Sequence, residues 1–274
     1  MGLFDRFRKK RTPEPPPGPE TERDTMALLL FRDTVDPEDA ASAVRRVFGR
    51  DAVRAIDRGV PRAPALTLEL EGTVFFCSCM PMPHPAEVCD LSKIEEGLFS
   101  PEERTEILAY RSFLVLAQQG GGGTLADKRR ICRLFTRLAG ALMELDGALG
   151  VYVNGAELLI GRRAYLTHAA VLARNADDPA YFPAPLWVGI RHGQKGEHAL
   201  TGTWGLHQFG FLELWFLDAV SAWPELHEKL YLMSIFQITG KELYRDGDTI
   251  AFTEGEPTRC RELNGALFLM GGGV

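Results

Sequence analysis

No run in the 274 residues approaches the roughly 20 consecutive apolar side chains of a membrane-spanning helix, so none is expected. Cysteine is sparse and odd in number: Cys77, Cys79, Cys89, Cys132 and Cys260. Such a set in a long chain is not a disulfide framework, and free thiols in a reducing compartment are the simpler expectation. The first residues carry charge with no apolar core behind them, unlike a secretory signal. Together these favour the cytoplasm as the expected location. Positive charge is also short. The formal net charge is -6, while residues 1–11 hold Arg6, Arg8, Lys9, Lys10 and Arg11 against Asp5; removing that local +4 leaves -10 for the rest. General nucleic-acid binding needs Lys and Arg to displace phosphate counterions, and an acidic body argues against it.

Recognisable catalytic motifs are missing as well. There is no Gly-x-Ser-x-Gly elbow and no Gly-x-Gly-x-x-Gly fingerprint. His227-Glu228-Lys229-Leu230-Tyr231 approaches the metalloprotease helix but places Tyr231 where the second imidazole must face the ion. The glycine run 120–123 precedes a helix, yet Gly-Thr-Leu-Ala-Asp-Lys stands where a phosphate loop needs Gly-Lys-Ser/Thr. Arg129, Arg133 and Arg137 follow at four-residue spacing and read as a solvated stripe, with an acidic partner protein as their functional alternative.

Several sets have the atoms for a metal. Cys77 and Cys79 share one face of a strand, with His84 and Cys89 nearby, but two small core residues explain them better. His192, His198 and His207 flank strands without a carboxylate or a spacing that singles them out, and read as surface histidines. Asp246-Gly247-Asp248 lacks the remaining ligands of a calcium loop and reads as a turn. No metal and no cofactor is expected.

What is present is an ordinary globular composition, 45% hydrophobic and 25% charged. Residues 1–24 are expected to be a disordered basic stub and a proline-rich linker. Leu3, Phe4 and Phe7 share a helical face there and would support only weak contact with anionic lipid. The globular region is 25–274, with 25–120 and 121–274 as a possible division into subdomains. Strands are expected at 26–32, 66–70, 73–80, 111–117, 149–153, 186–191, 198–204, 211–216, 249–252 and 266–270. Helices are expected after the caps Asp36, Ser100 and Thr124, and from Pro224 to about Thr239. The third has the clearest apolar face, through Ile131, Leu134, Phe135, Leu138, Leu142 and Leu145. Hairpins and helices alternate without a βαβαβ series. That predicts an α+β fold of mixed, largely antiparallel sheets backed by helices, which two ferredoxin-like plaits side by side would fit.

Thr203-Trp204-Gly205-Leu206, then Phe209-Gly210, Glu213-Leu214 and Asp246-Gly247-Asp248-Thr249-Ile250, resemble a bacterial family known as domain of unknown function 4261. Met80-Pro81-Met82-Pro83 and Gly147-Ala148-Leu149-Gly150-Val151-Tyr152 fit its longer members. The resemblance covers 65–270 loosely and 200–270 best. It implies no reaction and no catalytic residues. Glu213, between apolar neighbours on a strand, needs a partner if it faces inward. Trp204 and Trp215 nearby could frame a pocket, though core packing explains them better. The leading expectation is a non-enzymatic binding or protein-interaction module, immunity-type or secretion-associated, with a protein partner. The alternative is a hydrolase using Glu213 or Asp248 with His207. A third reading is a small-ligand or metal module on the cysteine or histidine sets.

Overall fold

The computed structural model describes residues 25–58, 63–120, 123–178, 180–195, 198–217, 223–251 and 257–270. The expected basic stub and proline-rich linker at 1–24 lie outside them, as do Gly121, Gly122 and Phe252.

The first sheet is built from β1 (Met26–Phe31), β2 (Val53–Asp57), β3 (Ala65–Leu70), β4 (Thr73–Met80), β5 (Gly97–Leu98), β6 (Ser112–Gln119), β7 (Ala148–Val153) and β8 (Leu158–Gly161). Their order is β2-β3-β4-β6-β1-β7-β8-β5. Interleaved helices are α1 (Pro37–Phe48), α2 (Pro101–Leu108), α3 (Leu125–Met143) and α4 (Arg162–Arg174). The second sheet contains β9 (Gly189–Lys195), β10 (His198–Trp204), β11 (Glu213–Leu217), β12 (Thr249–Ile250), β13 (Thr258–Leu263) and β14 (Ala266–Met270), with α5 (Trp223–Ile238) between β11 and β12. Its order is β12-β13-β14-β11-β10-β9. β5 pairs with β8, and β11 with β14, in parallel; the other described pairs are antiparallel. This is a mixed α+β fold with two antiparallel-dominant sheets packed against helices.

Local chemistry sets the element ends. Asp36 Oδ1 accepts the Glu38 N–H at 2.7 Å, and Pro37 opens α1 where no N–H is needed. Ser100 and Glu103 form a reciprocal capping box on α2. Glu71 and Gly72 both take positive φ in the β3–β4 turn, where the glycine avoids the Cβ clash.

β1 is a continuous apolar run because both of its faces are covered. Leu29 and Phe31 join the main core with α1 and α3, while Leu28 and Leu30 meet Ile107 of α2 in a smaller cluster. The main core continues through Trp187 into Leu214 and Leu267 of the second sheet. Phe135 of α3 sits edge-on between Phe75 and Trp187, and the Trp187 indole N–H donates to Thr136 Oγ1 at 3.0 Å. Those contacts tie the sheets together.

β1 pairs with both β6 and β7; the chain leaves the first sheet after Gly161 and enters the second at Gly189. One feature differs from the sequence reading: the apolar stretch at 186–191 is not one strand. Ala184–Leu186 forms a tight helical turn, and β9 begins only at Gly189. Trp187 is spent on the core, so its apolarity marks burial rather than strand.

Candidate functional site

The site grows from the ends of β10 and β11. Their pairing runs Leu200 to Leu217, Thr201 to Phe216 and Gly202 to Trp215. Gly202 is required there, because a Cβ would fall 2.3 Å from the Trp215 ring. Beyond it the Thr203 side chain joins in, its Oγ1 accepting the Leu214 N–H at 2.8 Å. The chain then turns at Gly205, where φ is +127° and a Cβ would lie 2.4 Å from the Trp187 carbonyl oxygen. A short helical turn, Leu206–Phe209, returns it to β11.

Glu213 holds this loop from inside and is 7% exposed. Its Oε2 accepts the Thr203 hydroxyl at 2.8 Å. Its Oε1 accepts the Gly205 N–H at 2.8 Å and the His207 N–H at 3.1 Å, and lies 2.7 Å from His207 Nδ1. Burial pushes the carboxyl pKa up, but the His207 ring, the two backbone N–H groups and the Thr203 hydroxyl outweigh it and leave the pKa below the usual carboxylate value. Glu213 is therefore an anion, and among the described residues its hydrogen bonds go to Thr203, Gly205 and His207 of the loop.

The outer side of the loop carries aromatic and basic groups. Trp204 meets the His207 ring edge-on at 5.5 Å, and the Arg191 guanidinium sits 5.1 Å from the Trp204 ring centroid. Arg191 is fixed in turn by Glu157 at 2.9 Å.

The structure brings His207 and Glu213 together but not Asp248. Asp248 precedes β12, three strands across the sheet from β11, at the level of Phe216 rather than Glu213. That is a lateral separation of about 14 Å. Asp248 Oδ2 accepts the Arg245 N–H at 2.8 Å, and Asp246 Oδ1 the Glu262 N–H at 3.1 Å. With Gly247 at φ +84°, the segment is the turn its sequence suggests.

The other sets resolve as follows. Cys77 and Cys79 do share a face and point into the main core; burial pushes both thiols up, Cys79 to about 11. Neutral buried thiols suit core packing. His192 meets His227, while His207 meets Glu213; the side chain of His198 lies outside the described residues. Among the described residues no three His, Cys, Asp or Glu side chains are placed to share a metal ion.

The arginine stripe on α3 is a correction. It is not solvated. Arg133 donates to the carbonyls of Asn175, Ala176, Asp178 and Tyr181, collecting the chain that leaves α4. Arg129 donates to the Thr239 carbonyl after α5, and Arg130 to Glu71 O and Thr73 Oγ1. Arg137 pairs with Glu71 and covers Phe48. Cations suit carbonyl-rich helix ends, and long side chains reach them across a groove.

No protein-family model, curated protein or solved structure matches this chain. Among the described residues no helix is long and apolar enough to cross a membrane.

Proposed function

We propose that this chain is a non-enzymatic protein-interaction module whose contact surface is the loop carrying Trp204 and His207 together with Arg191. The observation behind the reading is the use made of Glu213. A buried carboxylate engaged by Gly205, His207 and Thr203 is turned into the loop, and its effect is to hold the loop in one shape. The loop in turn presents a tryptophan braced by an arginine, the residue types that dominate interface energetics. Bracing before contact lowers the entropy cost of binding. An immunity-type or secretion-associated accessory acting in the cytoplasm is the setting we favour. Kinship with the domain of unknown function 4261 family belongs to the same proposal, supported by Gly205, Gly210 and Glu213 meeting in one loop. The finer fold reading is a ferredoxin-like plait at the centre of the first sheet. The order β4-β6-β1-β7 supports it, with α1 between β1 and β4 and α3 between β6 and β7.

The test is affinity capture from the native host, comparing wild type with Trp204→Ala, both checked for native circular dichroism. The reading expects a defined partner held by wild type and weakened by about thirtyfold in the variant. Equal capture by the two proteins, or none by wild type, would contradict it.

A hydrolase is the second reading, favoured by one contact. Glu213 engages His207 Nδ1 and leaves Nε2 as the nitrogen for proton transfer, as an orienting carboxylate does for a general base. On that reading His207→Gln removes turnover of activated esters. Wild-type turnover no faster than the variant's would eliminate it.

A further inference from the structure

We propose that His192 and His227 form a proton-sensitive latch that fastens α5 to the second sheet. The inference does not depend on the interaction reading. His192 lies on edge strand β9 and His227 in the first turns of α5, with their Nε2 atoms 3.0 Å apart. The ring planes differ by 21° and the centroids are 5.1 Å apart. Most of the centroid distance is therefore the nitrogen–nitrogen vector plus two ring radii, so the rings meet nitrogen to nitrogen rather than face to face. Such a contact needs one N–H and one bare nitrogen. It persists while one of the two facing nitrogens is unprotonated. When both carry protons, two N–H groups and two positive charges occupy the same gap, and the contact must open.

The surroundings hold the His192 side rigid. His192 Nδ1 lies 3.1 Å from Thr201 Oγ1 on β10. The His192 backbone N–H donates to the two Glu96 oxygens at 3.0 and 3.2 Å, which also occupies the sheet edge. Glu96 belongs to the segment entering β5, so the pair stands where both sheets and α5 come together. The movable partner is thus His227. Among the described residues the titratable groups around it are His192 and Glu96, with Tyr231 one helical turn along α5 kept neutral by burial that pushes its phenol to about 12. Lys229 on the same helix is paired with Glu225 at 2.6 Å.

Burial lowers the His227 pKa, the neighbouring His192 lowers it further, and Glu96 opposes them. A histidine with a depressed folded pKa contributes stability that is whole above its ordinary value of 6.5 and is lost as pH falls below it. The latch is closed near neutrality and opens in mild acid. α5 packs against β10 and against the Leu206–Phe209 turn, so the release reaches the loop that Glu213 holds.

The experiment is hydrogen–deuterium exchange on the full chain at about pH 7.5 and about pH 5.5, corrected for intrinsic rates. Peptides from 223–232 report the latch and peptides from 131–142 of α3 serve as the reference. The expected result is a roughly tenfold loss of protection at the lower pH in the α5 peptides, with the α3 peptides unchanged. His227→Gln and, independently, His192→Gln keep an amide for hydrogen bonding but do not titrate, and should abolish that difference. Equal loss in α3 and α5, no pH-dependent loss in wild type, or the same loss in both glutamine variants would overturn the proposal.

Discussion

Glu213 Oε1 lies 2.7 Å from His207 Nδ1 and accepts the His207 backbone N–H as well, so one carboxylate oxygen binds one histidine twice. That double grip, extended to Gly205 and Thr203, decides how the most suggestive residues of the chain are understood. Glu213 shapes the loop from the inside, and His207 and Trp204 are what the loop offers outside.

Glu213→Ala should cost about 3 kcal/mol of folding stability, because it leaves buried N–H donors of Gly205 and His207 without an acceptor. Glu213→Gln should cost less, since its carbonyl can serve the two N–H groups while its amide faces Thr203 Oγ1. Urea midpoints of the three proteins measure the difference. Equal stability of Ala and wild type would mean the loop does not depend on this side chain.

The same group sets an acid dependence. Its folded pKa is below the ordinary glutamate value of 4.5, so its contribution is complete above about pH 4.5 and fades as pH falls through that value toward the folded one. The stability gap between wild type and Glu213→Gln should therefore be constant from pH 7 to 5 and narrow below about 4.5. A gap that widens in acid contradicts the assignment.

Gly205→Ala should be among the most damaging changes. It forces a side chain onto φ +127° and a Cβ to 2.4 Å from the Trp187 carbonyl. A loss of 2 kcal/mol or more, about the cost of strained backbone plus a displaced contact, is expected in thermal or urea melts.

Arg133→Lys tests the α3 clamp. A single ammonium cannot reach the four carbonyls that the guanidinium fork gathers after α4. Faster proteolysis within 175–181, with the cores of both sheets unaffected, is the expected signature. An unchanged cleavage pattern would show that the segment holds itself.

These residues also mark what could be read from the sequence. Asp36, Ser100 and Thr124 announced their helices because a cap is a local hydrogen bond between near neighbours. The Glu71-Gly72 hairpin was legible because only certain residues tolerate positive φ. α4 escaped notice, since Tyr165 and Leu172 are its only fully buried side chains and it begins at Gly161 with no side-chain cap. β2 and β13 are polar edge and near-edge strands whose pairing is decided by partners rather than by their own pattern. At the site, the demand of Glu213 for a partner followed from a carboxylate among apolar neighbours. Its partners did not, because Thr203 and Gly205 reach it through the way β10 ends. The targets of the α3 arginines are carbonyls as far as 110 residues away, and no spacing rule reports such a distance.

The central claim is that Glu213 is the internal support of the 203–210 loop. Hydrogen–deuterium exchange across that loop in wild type and Glu213→Ala, under conditions where both are folded, tests it most directly. The account expects protection to collapse at Gly205 and His207 in the variant while α3 keeps its own. Unchanged protection in the loop would contradict it.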